Sequence, residues 1–140
     1  YKSSGQALTD TIGGQIPLVI DTVTASRSHI ASGKLKALGI TSRNASEMLP
    51  GVQSVADQGI TGFDVVAWDA LFAPKGIPAP ALQKMSEHVA KALALPEMRK
   101  RMMDIGVEPL SMNPAQLRDF VKNERQKWGD VITSANIRID

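Results

Sequence analysis

Residues 13–41 constrain the fold most, because an apolar run, an acidic junction, a small-residue helix and a second apolar run follow one another without interruption. Residues 16–20 (Ile-Pro-Leu-Val-Ile) are short, apolar and partly β-branched, which predicts a strand. Pro17 lies inside that run and cannot donate to a ladder, so the strand belongs at a sheet edge or the run begins there. The helical pattern of residues 22–32 ends at Gly33, and residues 35–41 predict the next strand. A helix between two strands favours a right-handed parallel crossover. Asp21 then stands where a strand's carboxyl end meets a helix's amino end. In open α/β sheets such junctions bind small ligands, since backbone amides converge there and the helix dipole favours an anion.

The flanking sequence has equally local punctuation. Ser3 and Ser4 can cap a helix that runs to Ile12, and Gly13-Gly14 stops it with a left-handed turn. Residues 42–62 read as a connector holding Leu49-Pro50-Gly51-Val52 and a helical turn over 54–58. Residues 63–72 are rich in β formers (Val65, Val66, Trp68, Leu71, Phe72), and the Pro- and Gly-containing stretch 73–78 breaks them, which predicts a buried strand and a turn. The last half predicts helices over 79–95 and 96–105, the second closed by Gly106. A short strand over 107–110 follows, then a final helix started by Asn113-Pro114 and ending near Ser134. Leu117, Phe120, Val121, Trp128 and Val131 form its apolar stripe. No internal repeat or low-complexity segment is present.

At 140 residues, the chain is the size of one ordinary domain, expected to bury a core without a disulfide or metal staple. Cysteine is absent, which removes a thiolate nucleophile and cysteine-based zinc sites and leaves cytoplasm and periplasm equally open. The formal charge is +2, and the basic cluster Arg99, Lys100, Arg101 is interleaved with Glu97 and Asp104, the pattern of a solvated helix face. With two Trp, one Tyr and three Phe, base-stacking platforms are scarce, so nucleic acid is not an expected partner. No apolar segment approaches the roughly 20 residues that cross a bilayer. Tyr1-Lys2-Ser3-Ser4 lacks the character of a leader, and the chain reads as beginning in mid-fold, with a leader removed or as a piece of a longer protein.

Catalytic constellations are not evident. His29 and His88 have no companion at metal-ligand spacing, no Gly-x-Ser-x-Gly elbow occurs, and the glycines form no phosphate-binding fingerprint. The expectation is a binding protein with no metal and no cofactor. An enzymatic rival, a small hydrolase or isomerase working through Asp21 or Asp69, would reveal itself by turnover of a bound acid. A structural remnant would expose apolar surface and bind nothing. Structural roles stand beside the functional ones: Asp21 is also suited to capping a helix, Trp68 and Trp128 to anchoring packed faces, and Met85, Met98, Met102 and Met103 to filling core gaps.

Several blocks, in order and at matching spacing, resemble the carboxyl-terminal half of the extracytoplasmic solute receptors of tripartite tricarboxylate transporters, the Bug family. Tyr1-Lys2 followed by small residues resembles Tyr-Lys-Gly-Gly, and Gly13-Gly14-Gln15 with Asp21 resembles Gly-Gly-Gln-Val-Asp-Val-Met-Phe-Asp. His29-Ile30-Ala31-Ser32-Gly33-Lys34-Leu35-Lys36-Ala37-Leu38 resembles His-Ile-Arg-Ala-Gly-Lys-Leu-Arg-Ala-Leu. Leu49-Pro50-Gly51-Val52 with Val55-Ala56, Gly62-Phe63 with Trp68, the stretch 71–78, Leu95-Pro96-Glu97 and Trp128 continue the correspondence. Each block is a packing or turn signature, and their shared register carries the resemblance across nearly the whole chain.

The resemblance implies an α/β, type II periplasmic binding protein-like fold. It would be incomplete here, with parts of both lobes and a mixed sheet with flanking helices. Residues 1–42 would finish the second lobe, 43–62 would cross between lobes, and 63–140 would complete the first. The implied function is capture of a small organic carboxylate (a dicarboxylate, tricarboxylate, amino acid or aromatic acid) in an interlobe cleft. Delivery would be to membrane permease subunits, in the periplasm, without catalysis. Candidate ligand residues are Tyr1, Ser3, Ser4, Asp21, Thr22, Ala67, Trp68 and Asp69. Ser3 and Ser4 replace family glycines, Thr24 stands where proline is common, and Asp69-Ala70 replaces an aromatic or polar residue followed by glycine. Asp69 would repel a second carboxylate if it faced the cleft and would suit a ligand amine or hydroxyl. Exposed sheet edges would favour pairing with a second copy. The alternative is a free-standing α/β small-molecule sensory or regulatory domain with no transport role.

Overall fold

Local punctuation in the sequence sets the helices. The computed structural model describes residues 1–138, and among them it forms α1 (Ser4–Ile12), α2 (Val23–Ala31), α3 (Ala79–Ala94), α4 (Pro96–Asp104) and α5 (Pro114–Ser134). The Ser3 hydroxyl caps α1 by accepting from the Gln6 amide at 3.3 Å, and the Thr22 hydroxyl caps α2 by accepting from Ala25 at 3.3 Å. Asn113 caps α5 more fully: its side chain accepts from the Ala115 and Gln116 amides, and the Gln116 side chain accepts from the Asn113 amide, a reciprocal box.

The carboxyl ends of α1, α2, α4 and α5 follow one chemistry, while α3 ends in extended backbone at Leu95 before Pro96. Gly14 adopts φ +73°, its amide bonds the Thr11 carbonyl at 3.1 Å, and Gln15 bonds the Asp10 carbonyl at 2.8 Å, a Schellman closure that uses two of the carbonyls α1 leaves free. The same paired bonds close α2 after Ser32, α4 after Ile105 and α5 after Ala135.

Two units divide the chain. One holds Tyr1–Phe72 with Lys100–Glu108, and the other holds Ala73–Arg99 with the chain from Pro109 onward. The first contains α1, α2 and the carboxyl-terminal turns of α4, and α1 and α2 pack on one another. The second contains α3, the first turn of α4 and α5.

The expected mixed sheet is not formed among the described residues. A single parallel bridge joins Ile40 and Ser54, through Ile40 N–H to the Gln53 carbonyl (3.0 Å) and Val55 N–H to the Ile40 carbonyl (2.9 Å). Val65 N–H reaches the Thr41 carbonyl at 2.8 Å, so residues near 41, 54 and 65 converge without extending a ladder. The segments 16–20, 63–72 and 107–110 have strand-like composition but no ladder partner among these residues, and cross-strand pairing is what stabilises a strand. Their side chains show the consequence: Ile20 is 80% exposed, Leu71 77% and Leu110 65%.

The expected core is likewise small. Among the described residues the buried positions are Ala7, Leu8 and Ile40, with Ser54 and Pro109. Ser54 is satisfied locally, its hydroxyl oxygen accepting from the Asp57 amide at 3.0 Å. No described residue of α2, α3, α4 or α5 is buried. The apolar stripes of α3 and α5 are only half-buried, as at Leu82, Val89, Leu117 and Phe120, and Met85, Met98, Trp68 and Trp128 are exposed and do not fill a core here. Trp128 is held on its own helix instead, donating Nε1–H to Glu124 at 3.1 Å.

Candidate functional site

The amino ends of α1 and α2 meet around Asp21. Its Oδ1 accepts from the Ser4 hydroxyl at 2.9 Å and from the Thr22 amide at 2.7 Å. Asp21 is therefore not the cap of α2, a role Thr22 fills; it stands one residue before the cap and ties that helix to the first turn of α1. Both helix amino ends carry partial positive charge, which favours a carboxylate at this point.

Beside this junction lies an open depression of about 330 Å³, lined by Tyr1, Lys2, Ser3, Ser4, Ala7, Val19, Ile20 and Asp21. Its volume is within the range of small-molecule sites. Its chemistry is divided. Ala7, Val19 and Ile20 supply apolar wall, Lys2 an ammonium and Asp21 a carboxylate, and Ser3 keeps its hydroxyl proton because its oxygen serves as acceptor to Gln6. The Ser4 and Gly5 amides belong to the first turn of α1, where the helix's own ladder supplies no acceptor. Lys2 and Asp21 cancel in formal charge, and the two helix ends leave the balance electropositive. The arrangement can receive a small anion with a short apolar body.

Tyr1 borders the depression. Partial desolvation first, then a hydrogen bond to Asp10 and the negative charge of Asp10, hold its phenol above the ordinary value of 10.0. Among the described residues no group of three or more His, Asp or Glu converges to hold a metal ion.

A clasp at the end of α4 fixes α2 in place. The Arg27 guanidinium donates through Nη1 to the carbonyls of Met103 (2.8 Å) and Asp104, and the Thr24 hydroxyl donates to the Gly106 carbonyl at 3.2 Å. A Cβ on Gly106 would stand 2.8 Å from Thr24 Cα, and Gly106 has φ +83°, so both space and backbone demand glycine.

Of the residues singled out in the sequence, Tyr1, Ser3, Ser4 and Asp21 come together on the depression. Thr22 adjoins it through its amide and its capping hydroxyl without lining it. Ala67, Trp68 and Asp69 are exposed in the 63–72 segment and line no part of it. Lys2, Ala7, Val19 and Ile20 were missed. Lys2 is adjacent to the capping serines, and Val19 and Ile20 immediately precede Asp21, so proximity in sequence was the signal available.

A relative from Agrobacterium vitis, described as a UPF0065 protein in the TAR-I ttuE-ttuC' intergenic region, is 36% identical over 138 residues, covering 96% of this chain and 40% of that protein. The R. palustris protein Rpa4515, solved with adipate, superposes with a TM-score of 0.84 at 27% identity, over 98% of this chain and 46% of that one. The periplasmic binding protein BugD superposes with a TM-score of 0.79 at 33% identity, over 99% and 47%. The chain thus spans less than half the length of each of these three proteins, and it has a partial periplasmic binding protein fold. The sequence pattern of the tripartite tricarboxylate transporter family receptor matches residues 1–137, and the chain belongs to that family.

Proposed function

We propose that this chain serves in a periplasmic solute-binding receptor that captures a small organic carboxylate and passes it to the permease subunits of a tripartite tricarboxylate-type transporter. The observation that carries the reading is the depression at the amino end of α1, where Lys2, the free proton of Ser3 and first-turn amides face apolar Val19 and Ile20. One carboxylate would take the Ser3 hydroxyl and the α1 amino end, with Lys2 as the counter-charge. The chain of the acid would lie against Val19 and Ile20. Adipate, the acid solved with the R. palustris neighbour, carries a carboxylate at each end of an apolar body, so one would meet the α1 amino end while the other stays toward the open mouth of the depression. Thr22, Ala67, Trp68 and Asp69 remain proposed contacts that a bound acid would reach.

Receptor action of this kind is binding, not turnover: a ligand favours one state of its receptor only as far as it binds that state more tightly. The test is native mass spectrometry of the protein from its own source, reading polypeptide mass and retained small molecules together. A retained organic acid is the expected result, and a protein that carries none and takes up none from a carboxylate panel would overturn the reading.

A further inference from the structure

We propose that Arg27 is a positioning residue for the ligand depression, acting through α2 without touching the ligand. The inference rests on the reading of that depression as the binding site. No residue of α2 is fully buried, and although Val23, Ala25 and Ile30 are half-buried and the helix packs on α1, polar ties supply much of what holds it. At its amino end, the Asp21 carboxylate accepts from the Thr22 amide and from the Ser4 hydroxyl of α1 and so joins the two helices. On its flank, Thr24 and Arg27, three residues apart and on one face, hold it to the carboxyl end of α4. A helix's last carbonyls lack ladder partners and carry the negative end of its dipole, so a guanidinium there forms charge-assisted bonds. Gly106, with no side chain, lets the Thr24 backbone approach and closes the clasp.

The consequence is directional. If Arg27 is lost, only the Thr24 bond still ties α2 to the end of α4, and the first turn of α2 opens more often. The Asp21 carboxylate that borders the depression then depends on its exposed bond to Ser4 and on a less steady Thr22 amide, and its position loosens. Arg27 therefore governs site geometry more than it governs folding.

Amide exchange followed by NMR on the full chain, with Arg27→Ala and Arg27→Lys, tests this, together with calorimetric titration of adipate. In Arg27→Ala, exchange at Ala25 and Ser26, whose amides bond the Thr22 hydroxyl and carbonyl, should speed up about tenfold. Exchange at Ala7 in α1 should hold, adipate affinity should fall about tenfold, and Arg27→Lys should recover part of each effect. Unchanged exchange at Ala25 and Ser26, equal acceleration at Ala7, or unchanged affinity in a chain that binds adipate would overturn the proposal. Should the unaltered chain bind no adipate, the choice of adipate as ligand is what fails, and the exchange pattern alone decides the role of Arg27.

Discussion

The Ser4 hydroxyl donates to Asp21 Oδ1 across 2.9 Å, joining residues seventeen apart in sequence and bringing two helix amino ends to one point. The bond is exposed to solvent, so its net worth is modest, about 0.5–1 kcal/mol. Because Asp21 also accepts from the Thr22 amide, Asp21→Ala should cost more than Ser4→Ala. In a double-mutant cycle followed by urea unfolding, the two changes should be non-additive by about 0.5 kcal/mol. Additive losses would mean that the bond is not formed in solution.

Glycine substitutions should differ in sign with their surroundings. Gly106→Ala forces a Cβ to within 2.8 Å of Thr24 Cα at φ +83°, and should destabilise the chain by about 1–3 kcal/mol. Gly129 lies inside α5 with open space where a Cβ would go, so Gly129→Ala should stabilise by up to about 1 kcal/mol. Thermal unfolding of the pair measures both.

Tyr1 is the only tyrosine, so absorbance at alkaline pH reports it alone. Its phenol should ionise above 10.0, and Asp10→Asn should move the midpoint back toward that value. The folded chain holds this proton more tightly than the unfolded one. Its contribution to stability is therefore complete below the unfolded value and lost as pH rises through the folded one. A midpoint at or below 10.0 would contradict the Tyr1–Asp10 pairing.

At the far end of the sequence, Asn113→Ala removes the side-chain half of the α5 capping box, the oxygen that accepts from the Ala115 and Gln116 amides, and keeps the backbone amide that donates to the Gln116 side chain. The expected cost is about 1 kcal/mol, with fraying confined to the first turn, read as faster amide exchange at Ala115 and Gln116. Lost helicity spread along α5 would be the contrary result.

Helix ends were legible because their signals are local. Ser3, Gly14, Gly106 and Asn113 each act on a backbone group within a few residues, and the helices run where these residues place them. The strands were not. Residues 16–20 have strand composition, but a strand exists only through a partner, and none of the described residues supplies one. For the same reason the apolar stripes promised more burial than Ala7, Leu8 and Ile40 deliver. At the site, the strand-to-helix argument found Asp21 and the capping argument found Ser3 and Ser4. Neither could find the clasp, since the bond between Arg27 and Met103 spans 76 residues and leaves no periodic trace.

The central claim is that a small carboxylate binds at the amino end of α1. Titrating adipate into the full chain while following backbone amide shifts tests it most directly. The account predicts saturable shifts centred on Lys2, Ser3, Ser4 and Asp21, weakened by Lys2→Ala. Shifts centred away from these residues, or none up to millimolar acid across a panel of dicarboxylates, tricarboxylates and amino acids, would contradict it.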